Sequence, residues 1–482
     1  MKIITRFAPS PTGFLHIGGI RTAIFAYLWV KKNNGTFILR IEDTDQERLV
    51  PGSVEHIKGA LTWFGIQWDF GPDKAGPFGS CIQSERLATY KKYALELIEK
   101  GLAYPDPYTK EEVETFRKQA EAEKRPFLYR EHRPAKFDIW DGTKPLRLKV
   151  AEIKKYKWHD IVRGDLEAGE SALDDFVLIK ADGFPTYNFA HIIDDHEMGV
   201  THVFRADEFI SSTPRFLSLY EALGIKPPIF ATLPPILRDD RTKKLGKRDG
   251  AKDVLEYRSE GYLPEALFNY LTLLGWHPSD DREVLSMSEL ITEFTLERIQ
   301  KGGAVFDIEK LNWFNHQYIG KLTPEEFSRL AAPYLPEWLK NDPAKLKLVT
   351  PLLREKIIKF SDIGPHLESK DDLAFIEKLT DYPTESLLWK KNPSKESALI
   401  HLETVSKLLK EIPDAEYATD KIKETISKYA EEKGRGDVLW PLRFALTGQD
   451  KSPDPFLSAY ILGREEAVAR IEKAIGKLKE KS

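Results

Sequence analysis

The sequence contains very little cysteine: Cys81 is the only one in 482 residues. A single cysteine cannot close an internal disulfide or supply a zinc site built from several thiolates. A disulfide-stabilised fold and a multi-cysteine zinc site are therefore excluded. The flanking residues 79–86 are typical of the lead-in to a helix. We interpret Cys81 as a small apolar residue rather than as a nucleophile.

Long apolar runs are also missing. No stretch has the length and apolar character needed to cross a bilayer. Residues 1–6 lack the apolar core and the small-residue cleavage site of a secretory signal. The sequence therefore predicts a soluble cytoplasmic protein with no membrane partner. We find no repeat of fixed period, which excludes a solenoid.

A strong excess of positive charge is the third absence. The chain has 72 Lys and Arg against 76 Asp and Glu, a net charge of −4 and a pI of about 6.3. This balance excludes a non-specific nucleic-acid binder with a basic surface throughout. Any RNA binding must use local basic faces. The length itself predicts about three domains.

The N-terminal part has the pattern of an α/β unit. Residues 2–7 predict a short strand, which proline and glycine residues then end. Apolar residues recur at helical spacing over residues 20–31, and residues 36–41 predict a second strand. The order strand, loop, helix, strand is typical of a parallel sheet.

Other patterns follow along the chain. Residues 101–183 combine a polar helix with short alternating strands, and we interpret them as an insertion in the sheet domain. The α/β pattern resumes at Tyr187, where we expect a strand that includes His191. After about residue 261 helical patterns continue to the C-terminus, among them one helix expected over residues 345–363.

The loop after the first predicted strand carries a candidate nucleotide site, because ligands bind at the carboxyl ends of the strands in an open parallel sheet. It ends in His16-Ile17-Gly18-Gly19. The two glycines allow close approach of a nucleotide, and a helix N-terminus favours phosphate. His16 can donate a hydrogen bond to phosphate oxygens as negative charge develops on them. Taken alone, the pattern fits a turn with a surface histidine better.

A second candidate is a basic cluster at residues 243–248, Lys-Lys-Leu-Gly-Lys-Arg. Lysines on a glycine-bearing loop can follow a phosphate during its displacement. Such a cluster, taken alone, is more often an ordinary solvated turn. The two motifs together are far more specific than either one.

As a pair, these motifs resemble the HIGH and KMSKS motifs of class I aminoacyl-tRNA synthetases. Longer stretches resemble the bacterial glutamyl-tRNA synthetases, namely residues 6–19, 37–45, 173–176, 185–190, 194–196, 213–215 and 440–448. The resemblance covers nearly the whole chain. Glutaminyl and archaeal-type glutamyl enzymes usually carry Pro-Glu-Pro before the first motif, where this chain has Pro9-Ser10-Pro11.

The resemblance implies a fold. It consists of a Rossmann-like α/β catalytic domain with an inserted α+β acceptor-stem-binding domain, followed by an all-α anticodon-binding region. The catalytic domain is expected at residues 1–100 and 184–240, and the insertion at 101–183. A stem-contact region with the KMSKS-like loop is expected at 241–322 and the helical region at 323–482.

The implied function is that of a glutamate–tRNA ligase. Such an enzyme uses ATP with Mg²⁺ to activate L-glutamate and transfers it to the 3′ end of tRNA(Glu), with tRNA(Gln) left open as a second acceptor. We expect no zinc, because the stretch near residues 104–108, where some relatives have a cysteine-rich site, contains no cysteine. The family is mostly monomeric, so we expect a monomer.

The resemblance also implies site residues. The glutamate pocket falls on Arg6, Ala8, Ser10, Glu42, Tyr187 and Arg205. The ATP site falls on His16, Gly18, Gly19, Glu208, Lys244 and Lys247, of which His16, Lys244 and Lys247 are expected to be catalytic. Guanidinium groups bind carboxylates through two hydrogen bonds, so two arginines suit the two carboxylates of glutamate. A carboxylate such as Glu42 suits the ammonium group.

The chain departs from the family pattern at three positions. Gly246 replaces the usual serine of the KMSKS loop, although both lysines remain. Ala206 follows Arg205 where an Arg-Gly pair is more frequent. His191 occupies a position that varies within the family, and we assign it no role.

Three other functions fit parts of the sequence. A shortened paralogue that glutamylates a modified tRNA base lacks the anticodon-binding part, whereas this chain has a long helical C-terminal region. A nucleotidyltransferase acting on a cofactor precursor shares the first motif but is much shorter. A catalytically inactive tRNA-binding protein is the third, and intact His16, Lys244 and Lys247 argue against it.

Overall fold

The computed structural model describes residues 2–238, 240, 243–245, 252–370 and 372–480. The chain forms two compact units, Met1–Phe314 and Asn315–Ser482. This division into two units does not test the boundaries of the four predicted segments. The predicted domain boundaries therefore stay predictions.

The first unit contains the strands. They are β1 (Ile4–Phe7), β2 (Thr36–Leu39), β3 (Ala103–Pro105), β4 (Leu146–Leu148), β5 (Tyr156–Asp160), β6 (Gly164–Ala168), β7 (Val177–Ile179), β8 (His202–Ala206), β9 (Ile229–Leu233), β10 (Ile236–Leu237) and β11 (Ala304–Val305). Its helices are α1 (Ile17–Lys32), α2 (Ser53–Trp63), α3 (Leu87–Glu99), α4 (Lys110–Ala122), α5 (Tyr187–Glu197), α6 (Thr213–Leu223), α7 (Val254–Ser259), α8 (Pro264–Leu273) and α9 (Met287–Glu293).

The main sheet has the strand order β2-β1-β8-β9-β5-β6. The pairs β1–β2, β1–β8, β8–β9 and β5–β9 are parallel, and β5–β6 is an antiparallel hairpin. All four residues of β2 are buried, as expected for a parallel strand covered on both faces. The carboxyl ends of β1, β8 and β9 therefore meet at one edge of the sheet.

Helix α1 follows directly from the loop after β1 and packs against β1 and β8. His16 caps its N-terminus, and buried residues such as Ile20, Ile24 and Leu28 recur at helical spacing along it. The chain turns back at Gly35, where a Cβ atom would lie 2.2 Å from the carbonyl oxygen of Ile3. Only glycine fits that close approach to the neighbouring backbone.

The predicted insertion contributes to two sheets. Strands β3, β4 and β7 form a separate antiparallel sheet, whereas β5 and β6 extend the main sheet beyond β9. Asp160 at the end of β5 accepts hydrogen bonds from the backbone N–H of Thr232 with both carboxylate oxygens, at 3.1 Å. A buried carboxylate therefore stabilises the contact between the hairpin and β9 in the main sheet.

The strand expected after Tyr187 is wrong, because these residues form helix α5. A helix buried on most sides has a nearly continuous apolar run, such as Phe189–Ile193, that periodicity cannot distinguish from a buried strand. Asp194 and Asp195 at its end are buried in ion pairs with arginines, which also hides the polar face that marks most helices.

Helix α10 (Ile308–Lys321) leads into the second unit, whose remaining helices are α11 (Pro324–Ala331), α12 (Glu337–Lys340), α13 (Pro343–Lys356), α14 (Ile363–Glu368), α15 (Lys395–Glu411), α16 (Thr419–Lys433), α17 (Arg435–Thr447), α18 (Pro455–Leu462) and α19 (Arg464–Lys479). Helices α15, α17 and α19 pack against one another at its centre. The described residues of this unit form no strand, which confirms the predicted fold class: an α/β unit followed by an all-α region.

The single helix expected over residues 345–363 is interrupted. Helix α13 ends at Lys356, and Ile357 is extended. The carboxylate of Asp362 accepts hydrogen bonds from the backbone N–H groups of Ile358 and Lys359, at 2.9 and 3.0 Å. This local capping competes with continuation of the helix. None of the helices in the described part of the chain combines the length and apolar character needed to cross a membrane.

Candidate functional site

A cavity of about 500 Å³ lies at the carboxyl ends of β1, β8 and β9, bounded also by the N-terminus of α1. Every described residue of the predicted site lines it: Arg6, Ala8, Ser10, His16, Gly18, Gly19, Glu42, Tyr187, Arg205, Glu208 and Lys244. Lys247 and Gly246 lie outside the described residues. The tertiary structure thus brings both predicted subsites to one cavity, and the individual roles stay predictions.

One end of the cavity is built on a buried ion-pair network. The Asp195 carboxylate lies 2.9 Å from Arg6 Nε and 2.7 Å from an Arg40 Nη atom, and Arg40 also pairs with Glu42 at 2.8 Å. Burial alone would raise the pKa of Asp195, but the two guanidinium groups lower it to about 2. Arg6 is therefore held in position by a carboxylate that remains ionised.

At Glu42 the effect of burial on the pKa outweighs the effect of the neighbouring positive charges. Its side chain is almost fully buried, and this burial raises its pKa above the ordinary value, although Arg40 and Arg6 oppose the shift. An ammonium group bound nearby would favour the ionised carboxylate. The position of Glu42 on the cavity wall therefore suits a cationic group of a ligand.

Arg205, at the end of β8, has no carboxylate partner among the described residues. Its guanidinium donates to the Thr213 hydroxyl at 2.7 Å and lies 4.2 Å from the centre of the Phe230 ring. Its Nε atom is buried without a hydrogen-bond partner. Burial lowers the pKa of Arg205, as expected for a cation that lacks a counter-charge. A buried cation of this kind attracts the carboxylate of a ligand.

Tyr187 begins α5 and lines the cavity together with Arg6 and Arg205. Its ring stacks on His191 with the centroids 4.5 Å apart, and Nδ1 of His191 donates to the Tyr187 carbonyl oxygen at 2.6 Å. Burial lowers the pKa of His191 to about 3, so this imidazole stays neutral at physiological pH. Burial raises the pKa of Tyr187, which keeps its hydroxyl protonated.

The N-terminus of α1, here called the helix end of the cavity, contributes His16, Gly18 and Gly19 to its wall. His16 accepts a hydrogen bond at Nδ1 from the backbone N–H of Gly18, at 3.1 Å, so the proton of the neutral ring is on Nε2. A Cβ atom at Gly18 would lie 3.0 Å from His16 Cε1, and one at Gly19 would lie 2.6 Å from a Leu15 methyl group. The glycines therefore leave room for the imidazole and for the backbone that surrounds it.

Lys244 is placed by a short backbone pairing. The backbone of Lys244 pairs with that of Leu237, and Leu245 donates to the carbonyl oxygen of Ile236 at 2.8 Å. The Lys244 ammonium forms an ion pair with Glu208, another cavity residue. A positive group and its counter-ion thus lie on the wall beside the helix N-terminus, where a phosphate would be stabilised.

Sequence reasoning missed Arg21, which also lines the cavity. It is buried in α1 and donates to the carbonyl oxygens of Leu274, at 2.8 Å, and Pro234. Burial lowers its pKa to about 10, although Asp207 opposes the shift. The one available signal was a charged residue on the apolar face of a helix, next to Ile20 and Ile24.

The described residues contain no group of three or more His, Cys, Asp and Glu side chains placed to hold a metal ion. The cavity instead presents a histidine, a lysine and the backbone N–H groups of a helix N-terminus. These groups suit phosphate oxygens, and a metal ion would reach such a site bound to the phosphates of a nucleotide.

Known families match most of the chain. The family model described as "tRNA synthetases class I (E and Q), catalytic domain" matches residues 2–313. A second one, described as "Anticodon binding domain", matches residues 326–475. The two matches fall in the first and second compact units respectively.

Three proteins similar to this chain are named as glutamate–tRNA ligases. Glutamate–tRNA ligase of Clostridium botulinum (strain Eklund 17B / Type B) is 41% identical over 489 residues, covering 99% of both chains. That of Clostridium kluyveri is 40% identical, covering 99% of this chain and 98% of its own. The crystal structure of a glutamate tRNA ligase from Elizabethkingia meningosepticum in complex with its amino acid superposes with a TM-score of 0.88 at 36% identity, covering 99% of this chain and 100% of that one. The chain therefore belongs to the bacterial glutamate–tRNA ligase family of class I aminoacyl-tRNA synthetases.

Proposed function

We propose that this chain is a glutamate–tRNA ligase. It activates L-glutamate with ATP as glutamyl-adenylate and transfers the glutamyl group to the 3′ end of tRNA(Glu). The observation that carries this proposal is the cavity itself, whose wall combines buried arginines, which suit carboxylates, with the N-terminus of α1, which suits a phosphate. The relatives that bear this name match the chain over nearly its full length.

Glutamate lies at the arginine end of the cavity in this proposal. Arg205 pairs with one of its carboxylates, because its guanidinium is buried and has no carboxylate partner among the described residues. Arg6 donates at Nε to Asp195 and at one Nη atom to the Phe204 carbonyl oxygen, and it binds the ligand through its remaining N–H groups. Glu42 accepts from the α-ammonium group, and Ala8, Ser10 and Tyr187 complete the wall.

ATP lies at the helix end, with His16, Gly18, Gly19, Glu208 and Lys244 around it and Lys247 as the further lysine of the second motif. In the first step an oxygen of the glutamate α-carboxylate forms a bond to the α-phosphorus, and pyrophosphate leaves with the electrons of the broken P–O bond. Negative charge develops on the phosphate oxygens, where the N-terminus of α1, His16 Nε2–H and the lysines stabilise it. Mg²⁺ that enters with ATP as part of the substrate would neutralise a further part of that charge.

In the second step the terminal ribose hydroxyl of the tRNA attacks the carbonyl carbon of the mixed anhydride. An ester bond forms, AMP leaves, and the hydroxyl proton passes to the departing phosphate or to solvent. The site acts mainly by positioning the two reactants and by stabilising charge. The proposal includes a monomeric enzyme located in the cytoplasm, without zinc, and it leaves tRNA(Gln) as a second acceptor to be tested.

Glutamate-dependent ATP–pyrophosphate exchange tests the proposal. We expect exchange when tRNA is present, because the resemblance implies that tRNA is needed for activation. Parallel reactions with tRNA(Glu), with tRNA(Gln) and without tRNA show which acceptors are used. Absence of exchange under all three conditions, with ATP and tRNA still bound, would favour the inactive tRNA-binding protein. The match to an anticodon-binding family over residues 326–475 already disfavours the shortened paralogue.

A further inference from the structure

We propose that His56 and Asp253 form a bridge that positions the first motif for ATP. We call this contact the His56–Asp253 pair. Neither residue lines the cavity, so both are positioning residues rather than catalytic ones. The inference rests on the proposed function, because it takes ATP to be the ligand at the helix end of the cavity.

The pair joins distant parts of the sequence. His56, on α2, places Nε2 at 2.6 and 2.8 Å from the two carboxylate oxygens of Asp253, which is 197 positions away. The side chains are only 10% and 20% exposed. A histidine–carboxylate contact with this degree of burial is less screened by solvent than a surface pair.

The second nitrogen of His56 contacts the first motif. Nδ1 accepts a hydrogen bond from the backbone N–H of Leu15 at 3.3 Å, so the neutral ring donates from Nε2 to Asp253. The Phe14 ring stacks on the imidazole with the centroids 4.6 Å apart and the planes 21° apart. The imidazole therefore connects residues 14–15 to Asp253.

Asp253 also reaches the first motif through its backbone. His16 and Asp253 form an isolated antiparallel β-bridge, and the N–H of Val254 donates to the Leu15 carbonyl oxygen at 2.9 Å. Both polar groups of the Leu15 backbone are thus bonded, its N–H to His56 and its C=O to Val254. This fixes the peptide that immediately precedes His16 in the sequence.

The arrangement matters for ATP because it involves both motifs. Lys244 pairs with Leu237 and contacts Glu208 on the cavity wall, and Asp253 follows Lys244 by nine positions in the sequence. The chain that carries the second motif is therefore bonded to the cavity wall on one side and to the first motif on the other. Loss of the His56–Asp253 pair removes the side-chain part of the attachment to the first motif and leaves only the backbone bonds of Asp253 and Val254 there. Loss of His56 itself also removes one restraint on Leu15.

Two substitutions remove the pair in different ways. His56→Leu deletes the hydrogen bonds of the imidazole to Asp253 and Leu15 and its stacking on Phe14. Asp253→Ser keeps an acceptor for the N–H of Leu255, which Asp253 caps at 2.9 Å, but a serine side chain is too short to reach His56. Asp253→Asn keeps both the cap and an acceptor for His56 and is the conservative variant. His159→Leu is the matched control, since His159 and Asp165 form an exposed pair at 2.8 Å on the β5–β6 hairpin.

The experiment measures KM for ATP, KM for glutamate and kcat in aminoacylation of tRNA(Glu), with the melting temperature of every variant. We expect His56→Leu and Asp253→Ser each to raise KM for ATP by about tenfold, the effect of losing a buried hydrogen bond and leaving its partner unsatisfied. KM for glutamate should change by less than about twofold, which lies within the spread of distant substitutions. Asp253→Asn and His159→Leu should resemble the unchanged protein. The double variant should be no worse than the poorer single one, because the two residues act together.

Three results would overturn the inference. One is no change in KM for ATP. Another is a parallel rise of both KM values that tracks a lower melting temperature, which would make the pair merely structural. The third is a double variant whose effect is the product of the single effects.

Binding of ATP with Mg²⁺, measured by calorimetry on the same proteins, separates this inference from the proposed function. An unchanged protein that binds ATP but does not charge tRNA would count against the proposed function alone, whereas one that does not bind ATP would overturn both.

Discussion

The two arginines of the proposed glutamate site differ in whether a carboxylate of the protein neutralises their charge. Arg6 is held by Asp195, whereas Arg205 contacts the Thr213 hydroxyl and two aromatic rings and has no carboxylate partner among the described residues. A buried cation without a counter-ion is costly, so the site gains most when a carboxylate arrives. Arg205 is therefore the residue at which loss of charge should affect glutamate most directly.

We expect Arg205→Met to raise KM for glutamate by between about 10-fold and 100-fold, the loss of one charged, paired hydrogen-bond contact. KM for ATP should change by no more than about threefold, since the helix end of the cavity is untouched. Steady-state aminoacylation with each substrate varied in turn measures both values. An unchanged KM for glutamate would remove Arg205 from the pocket.

Gly18→Ala tests the room that His16 needs. The new Cβ atom would lie 3.0 Å from Cε1 and 3.2 Å from Nδ1 of the imidazole, closer than normal contacts allow. We expect kcat/KM for ATP to fall by about tenfold or more, because displacement of a charge-stabilising donor is costly. Gly59→Ala on α2 is the control, since nothing lies within 4 Å of the new atom there. That control should keep full activity and gain about 0.5–1 kcal/mol of stability.

The free energy of unfolding should depend on pH through His191. Burial lowers its pKa from the ordinary 6.5 to about 3, so the unfolded chain binds the proton more readily than the folded one. The contribution of the neutral imidazole is complete above pH 6.5 and is lost as the pH falls towards 3. Between pH 7 and pH 4 we expect a loss on the order of 3 kcal/mol from this group.

Urea unfolding at both pH values checks this, with His191→Asn as the comparison. The asparagine keeps a donor near the Tyr187 carbonyl oxygen but has no proton to gain. Its free energy of unfolding should therefore fall less than that of the unchanged protein over the same interval. An equal fall in both proteins would show that other groups determine the acid sensitivity.

At the scale of elements, two predictions were wrong, one for a tertiary reason and one for a local reason. Helix α5 has an apolar run that resembles a strand, and only its burial against neighbouring elements distinguishes the two. The predicted helix over residues 345–363 stops at Lys356 because a side-chain cap is available to the following backbone. Helix α1, by contrast, includes the residues 20–31 whose apolar spacing predicted it, and it extends from Ile17 to Lys32.

The Asp362 carboxylate should decide where that interruption falls. Asp362→Ala removes the acceptor for Ile358 and Lys359, and we expect the free energy of unfolding to fall by about 1 kcal/mol. Asp362→Asn keeps an acceptor oxygen and should lose only a fraction of that amount. Chemical unfolding followed by circular dichroism measures both. A loss in Asp362→Asn as large as in Asp362→Ala would assign the effect to charge instead.

The whole molecule consists of two compact units, each with its own buried core. The cavity belongs to Met1–Phe314, so a ligand of the cavity stabilises that unit directly. We expect calorimetry to show more than a single two-state transition. ATP at about 100 times its Kd should stabilise the transition of the first unit by about 2.7 kcal/mol and shift the other less. Equal shifts of all transitions would mean that the units unfold together.

The sequence determined the family and the fold class, and the resemblance to that family named residues that line the cavity, although Arg21 was missed. The resemblance rests on the glycine-bearing loop before α1, the basic residues 243–248 and further matching stretches, and the fold class also on long helical periodicity after residue 261. Such signals can be recognised in the sequence because close backbone approach, charge and periodic burial each require particular residue types. The family and the fold class are confirmed, whereas the assigned roles of the site residues and the domain boundaries stay predictions.

Only the tertiary structure decided which charges are neutralised and which are not. Arg6, Arg40 and Asp195 come from elements far apart in the sequence, and nothing local reveals that they share one buried network while Arg205 is left outside it. The contact between His56 and Asp253 spans 197 positions and is equally invisible in the sequence. Desolvation and ion pairing depend on the distances between packed elements, and those distances exist only once the chain has folded.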